Sequence, residues 1–264
     1  FRHRGQQGKA AVTVCHGFIG DRGDTAFYQV FGLGAVGREV QIGEKQLPFT
    51  QLGPFAGLRF LHLNHHIGCG ENIFGGINNA GTGVVGDFRR IDLVDIRKTL
   101  DVNLWGVVYG TKAAYEVMAA QGHGHIVNVA SSAGVMPVPM QTTYAMVKHA
   151  VVGLSRSLRI EAAVYGVKVS VVLPGLVRTS FFSSAKVVGE YDYQGEMESL
   201  PISPISPRRA GELILAGIRA NRELIAFPTS NKLILLLFRF FPRAMTPLLA
   251  RATIKSLENP ASRD

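Results

Sequence analysis

From residue 91 onward the chain alternates between two hydrophobic periods. Apolar residues recur at helical spacing from Ile91 to Ala120, through Ile96, Leu100, Val107, Val108 and Tyr115, which predicts a long amphipathic helix. Gly122-His123-Gly124 stops it. His125 to Ala130 is then a short β-rich run, the pattern of a strand buried on both faces of a parallel sheet. Thr142 to Val164 predicts a second long helix ended by Gly166, and Val167 to Leu173 the next strand, closed by Pro174-Gly175. Pro207 to Asn221 reads as a helix with proline near its start, and Glu223 to Pro228 as a last strand. The polar, irregular stretch between Thr179 and Pro207 reads as a mobile loop. Strand, helix, strand, helix, strand predicts an α/β fold built on a single doubly wound parallel sheet.

The first 75 residues break this rhythm. They hold 14 of the 30 glycines, five of the eight histidines and both cysteines. Ala11 to Cys15 passes for a strand, but no long helical period follows. His62, His65, His66 and Cys69 match no common ligand spacing, so no metal site is expected there.

Composition narrows the class. A chain of 264 residues buries a substantial core without disulfides or metals. The net charge of +9 suits an anionic cofactor or an anionic membrane surface. No nucleic-acid-binding module accompanies it, so no nucleic-acid partner is expected. Two cysteines are too few for a disulfide framework, and Phe1-Arg2-His3-Arg4 is followed by no apolar signal core. The expectation is a cytoplasmic protein, with membrane association left open by one segment. Leu233 to Phe238 is the longest apolar run of note, short of the roughly 20 residues a span requires, and Arg239-Phe240-Phe241-Pro242-Arg243 follows it. It reads either as a helix packing on the body or a partner subunit, or as an interfacial helix in peripheral contact with a membrane.

Tyr144 and Lys148 lie four residues apart on the second long helix, on one face. An ammonium beside a phenol favours the phenolate and draws its pKa down from about 10. Such a pair suits proton transfer to or from a carbonyl or alcohol oxygen. Ser131 stands where the strand from Ile126 to Ala130 ends, the edge at which open α/β sheets place ligands. Asn103 lies inside a helix, where asparagine is a poor former, and is free to satisfy a water or a backbone group.

Taken together these residues resemble the short-chain dehydrogenase/reductase family. Asn78-Asn79-Ala80-Gly81, Asn103-Leu104-Trp105-Gly106, Asn128-Val129-Ala130-Ser131-Ser132-Ala133-Gly134, Tyr144-Ala145-Met146-Val147-Lys148 and Pro174-Gly175-Leu176-Val177-Arg178-Thr179 occur in the family's order. The likeness is strong over about 40% of the chain and looser over its C-terminal third. It implies a Rossmann-like fold and hydride transfer between NAD or NADP and a small alcohol or ketone, lipophilic if the aromatic loop at Phe181, Phe182, Tyr191, Tyr193 and Met197 lines the pocket. Tyr144 would be the general acid/base, and Ser131, rather than Ser132, would orient the substrate oxygen. Lys148 would lower the tyrosine pKa and hold the nicotinamide ribose, and Asn103 would hold a relay water. Pro174, Gly175, Val177 and Thr179 would flank the nicotinamide. Asn79, Ala80 and Gly81 would support the adenosine side. The resemblance also implies a homo-oligomer formed through the long helices.

One family feature is missing. The Thr-Gly-x-x-x-Gly-x-Gly turn that cradles the pyrophosphate is absent, and Gly32-Leu33-Gly34-Ala35-Val36-Gly37 has weak context for a phosphate loop. The residue that would choose NAD over NADP is not placed. Two readings account for the break: residues 1–75 are not the native reading of the gene, or they are genuine and divergent. The chain is accordingly expected to be one domain, with an atypical segment 1–75, a catalytic half 76–230 and a C-terminal helical extension 231–264. A non-catalytic scaffold with impaired cofactor binding is the alternative function.

Overall fold

The computed structural model describes residues 11–19, 26–34, 75–179, 181–200 and 202–258. Its strands are β1 (Ala11–Ile19), β2 (Ala26–Gly34), β3 (Gly75–Asn78), β4 (Val84–Gly86), β5 (Gly124–Val129), β6 (Val167–Pro174), β7 (Lys186–Val188) and β8 (Leu224–Phe227). Its helices are α1 (Leu93–Leu100), α2 (Gly106–Gln121), α3 (Thr142–Ala162), α4 (Phe181–Ser184), α5 (Tyr193–Ser199), α6 (Pro207–Arg219), α7 (Thr229–Phe240) and α8 (Pro242–Glu258).

Six strands form one sheet in the order β2-β1-β3-β5-β6-β8. Every neighbouring pair is parallel except β1 with β2. Central strands buried on both faces need apolar residues at successive positions, and Val169, Val171, Val172 and Leu173 of β6 are all buried. One face packs on α2 and α3, where Ala114, Met118, Leu158 and Ala162 meet Ile126, Val167 and Val169. The other face packs on α6, whose Ala210 joins Ile77, Val127, Val172 and Ile225. The doubly wound α/β architecture expected from the periodicity is therefore present. Gly122 ends α2 in the left-handed conformation, with φ of 77°, as the stop signal requires.

The structure departs from expectation in three places. The sheet is not wholly parallel, because β1 and β2 pair antiparallel along their full lengths. Only residues 20–25 connect them, too few for a parallel crossover, which takes about a dozen residues or more. The single helix expected over Ile91 to Ala120 is divided by a wide π-helical turn at Asp101–Trp105. The stretch after Thr179, read as a mobile loop, contains α4, β7 and α5. It is fastened to the body by a ladder pairing Val84–Gly86 with Lys186–Val188, a Lys186–Asp95 ion pair of 2.7 Å and a bridge between Val177 and Ile205. Its polar composition hid a three-residue strand.

A buried histidine makes stability depend on pH. His125 of β5 bonds Ser170 Oγ at 2.8 Å, and that hydroxyl donates onward to the Arg222 carbonyl at 2.6 Å. Nε2 of His125 is therefore the donor. Burial, with Lys168 and Arg159 nearby, pushes its pKa down to about 4. The folded state thus favours the neutral ring. The stability this contributes is complete above about pH 6.5 and is lost as pH falls toward 4, roughly 3 kcal/mol in all. Thermal melts between pH 7 and 4 should show this slope in the native chain and a flatter one in His125→Gln. Equal slopes would defeat the assignment.

Candidate active site

The end of β5 and the start of α3 bring the proton-transfer groups together. Ser131 follows β5 in an extended conformation, with its Oγ accepting from the Ala133 N–H at 3.2 Å to cap the short turn Ser132–Gly134. That cap fixes the serine at the carboxyl edge of the sheet. Its hydroxyl also lies beside the phenol of Tyr144, in the first turn of α3, near enough to hold that phenol's pKa down. One turn further on, Lys148 is buried, and its Nζ donates to the Val129 carbonyl at 3.0 Å. The ammonium sits 5.5 Å from the centre of the Tyr144 ring. Ser131, Tyr144 and Lys148 are thus brought together as the spacing predicted. The serine that meets the tyrosine is the one chosen over Ser132.

The electrostatics differ from expectation in sign. Burial pushes the Tyr144 phenol up to about 12, and the Ser131 hydroxyl beside it offsets this only in part. Burial pushes Lys148 down to about 8. Among the chain's own groups, desolvation outweighs the ammonium's pull on the phenol, because the lysine directs its charge at a carbonyl and over the ring. The expectation of a phenol lowered by Lys148 is corrected accordingly.

Asn103 is fully buried in the π-helical turn. Of the two partners open to it, a backbone group and a water, the side chain takes the backbone group: Oδ1 accepts from the Thr82 N–H at 2.7 Å and Nδ2 donates to the Thr82 carbonyl at 2.6 Å. This two-point clamp holds the chain directly after Asn79, Ala80 and Gly81, which leave the carboxyl end of β3. The helix widens where its asparagine reaches out of it.

Beneath that turn lies a network the sequence reading did not assign. Asn78 Nδ2 donates to Asn128 Oδ1 at 2.8 Å, Thr111 Oγ donates to the same oxygen at 3.1 Å, and Asn128 Nδ2 donates to Ser155 Oγ at 3.0 Å. The network joins β3, β5, α2 and α3 below the site. Gly110 completes it, since a Cβ there would collide with the Asn78 amide. Asparagine in the middle of the apolar run from His125 to Ala130 was the available signal. A second missed residue is Asn231 of α7, buried and bonded to the Leu173 and Phe227 carbonyls at 3.1 and 3.2 Å. It ties the ends of β6 and β8 and so positions Pro174 and Gly175. Nothing in the sequence marked it.

The loop after β6 is held at its base. Gly175 N–H donates to the Phe227 carbonyl at 2.8 Å, and the Arg178 N–H to Ile205 at 2.9 Å. Thr179 Oγ1 accepts from the Phe181 N–H at 3.4 Å, at the start of α4. From the expected aromatic loop, Phe181 packs on Tyr144 with ring centres 5.2 Å apart. Tyr193 is 2% exposed and stacks on Tyr191. Its phenol is pushed well above the usual range by burial and by Tyr144 nearby. The side chain of Phe182 lies outside the described residues.

The nicotinamide side of a dinucleotide site fits these residues: Tyr144, Lys148 and the Val177–Thr179 loop line one edge beside the clamped Asn79–Gly81 turn. The pyrophosphate side does not appear among the described residues. His16 to Ile19 lie in β1, and Gly32 and Gly34 lie in β2, paired with Thr13 and Ala11. They are strand residues there, not a turn onto a helix. Gly20 to Gly23, Ala35 to Gly37 and the His62–Cys69 cluster lie outside the described residues.

A doubly wound sheet with serine, tyrosine and lysine converging at its carboxyl edge defines an α/β oxidoreductase of the dehydrogenase type. The chain belongs to the short-chain dehydrogenase/reductase family. The family model for short chain dehydrogenases matches residues 72–187, starting close to the break in composition. SadH of Mycobacterium tuberculosis, an oxidoreductase by name, is 32% identical over 194 residues, covering 72% of this chain and 69% of its own. Estradiol 17-beta-dehydrogenase 11 of Rattus norvegicus is 32% identical over 179 residues, covering 66% of this chain and 56% of its own. A short chain dehydrogenase from Burkholderia cenocepacia, solved in complex with NADP, aligns with a TM-score of 0.61 at 20% identity, covering 74% of this chain and 77% of its own. That last likeness is one of fold.

Proposed function

We propose that this chain is an NAD(P)-dependent oxidoreductase acting on an alcohol or ketone, with proton transfer through Tyr144. The observation that carries the reading is the convergence of Ser131, Tyr144 and Lys148 at the end of β5. Bound nicotinamide would supply or accept the hydride. Ser131 orients the substrate oxygen against Tyr144. With its pKa at about 12 the phenol is protonated at neutral pH, ready to donate to a carbonyl oxygen as charge develops there. Lys148, with its pKa at about 8, remains mostly cationic at pH 7 and stabilises the phenolate that donation leaves behind. Lys148 also holds the nicotinamide ribose. Asn103, its amide engaged with Thr82, holds the turn after β3 in place beside the site. Val177 and Thr179 bind the carboxamide side, and Asn79, Ala80 and Gly81 the adenosine side.

The substrate reading is an apolar ketone or alcohol. Phe181 against the Tyr144 ring, and Tyr193 buried close to it, surround the phenol with aromatic surface. The resemblance to an estradiol dehydrogenase by name points the same way. Exposed Trp105, Tyr109, Met146 and Ile160 on the π-helical turn, α2 and α3 support an oligomer formed through these helices.

A scaffold without cofactor is the second reading, favoured by Gly32 and Gly34 lying in a strand. Calorimetric titration with NADH and NADPH separates the two. Binding of either, followed by turnover on a panel of apolar ketones, is expected for the enzyme. No heat and no thermal shift with either would leave the scaffold.

A further inference from the structure

Helix α7 carries two apolar faces, and the body covers only one. Phe238 and Asn231 point inward and are buried, with Asn231 bonded to the ends of β6 and β8. On the opposite side Leu233, Leu236, Leu237 and Phe240 recur at i, i+3, i+4 and i+7, a continuous stripe. Their exposures are 60%, 50%, 36% and 65%. Phe241 extends the stripe at the junction with α8, where Leu248 and Ile254 are also exposed. Isolated exposed leucines need no explanation, but a stripe two turns long rimmed by polar residues marks a contact surface.

The charges around the stripe are of one sign. Helices α7 and α8 carry Lys232, Arg239, Arg243, Arg251 and Lys255, and their one acid, Glu258, is the last residue of α8. Lys232 and Arg239, both exposed, stand seven residues apart and so run along one edge of the stripe. Arg243 continues the series across the junction. Among the described residues no single helix is long and apolar enough to cross a membrane. Helices α7 and α8 reach that length and composition only together, with their axes turned through 113°.

We propose that this face docks the protein on an anionic lipid bilayer, the stripe entering the boundary between headgroups and acyl chains and the cations resting on lipid phosphates and carboxylates. A second copy of the chain fits the same stripe less well. It would set Lys232, Arg239 and Arg243 against another set of cations, and like charges at close range repel.

Co-sedimentation of the full chain with phosphatidylcholine vesicles, with and without phosphatidylglycerol, tests this. The chain should pellet with the anionic vesicles at low salt and be released as salt rises. Lys232→Gln and Arg239→Gln should each weaken binding about fivefold. Leu236→Glu combined with Phe240→Glu should abolish it while the thermal melt stays in place, since both positions are exposed. A chain that stays in solution with both vesicle types would overturn the proposal. So would a glutamate pair that turns a dimer into a monomer while leaving vesicle binding intact, because the stripe would then be covered by a second copy.

Discussion

Tyr144→Phe is expected to lower turnover by roughly 10²–10⁴-fold, the range a positioned general acid contributes. The substitution removes one oxygen and keeps the ring. Contact with Phe181 is a ring contact and survives, and Lys148 remains bonded to the Val129 carbonyl. Cofactor binding, read as calorimetric heat with NADPH, should therefore be close to that of the native chain. Ser131 loses the phenol oxygen beside it but keeps its place through the Ala133 N–H. Turnover retained within a few-fold would show that another group moves the proton. Because the native phenol sits at about 12, its donating form is held across neutral pH. Loss of activity on replacement then reports loss of the donor, not a shifted titration.

The second large effect is on stability. Asn128→Leu keeps the number and branching of the side-chain heavy atoms but deletes the centre of the buried amide network. Its Oδ1 receives Asn78 and Thr111, and its Nδ2 bonds Ser155. Ser155 keeps the Val151 carbonyl as its acceptor at 2.7 Å, so it is left satisfied. The Thr111 hydroxyl, 3% exposed, is left with its proton pointing at a methyl group. Asn78 loses the shorter of its two bonds. A buried polar group deprived of its partner costs about 1–3 kcal/mol, which puts the total at roughly 3 kcal/mol. Urea unfolding should show the unfolding free energy fall by that amount, as a lower midpoint with the slope unchanged. A loss well under 1 kcal/mol would mean that the network relaxes around the leucine. Ser155→Ala serves as the comparison and should cost less, because the amide at its centre retains its other partners.

Much of the proton-transfer site was legible because it depends on spacing. A tyrosine and a lysine one turn apart on a helix meet wherever that helix packs, and a serine ending a buried strand reaches the same edge. Neither statement needs tertiary detail. What could not be read depends on burial and on distant partners. The sign of the Tyr144 shift is set by how much water the surrounding chain excludes, and no local motif encodes that. Asn103 was recognised as an unusual helix residue, but its partner is a backbone group 21 positions away. Asn231 and Asn128 act through carbonyls and amides on neighbouring strands, so their importance follows from the strand order. The strand β7 escaped because three residues, Lys186-Val187-Val188, carry too little period to stand out from a polar stretch. The antiparallel start of the sheet escaped because β1 was seen only in part and β2 not at all.

The fastening of residues 179 to 207 has a consequence for how this protein can diversify. The segment is moored at one end by the Val177–Ile205 bridge and at the middle by β7 on β4. The chemistry resides on β5 and α3, outside those moorings. The stretch from Gly189 to Pro204 is therefore an exchangeable cassette. Its length and side chains can be rewritten while both moorings stay in place, except at Tyr193, whose replacement would also change how deeply the Tyr144 phenol is buried.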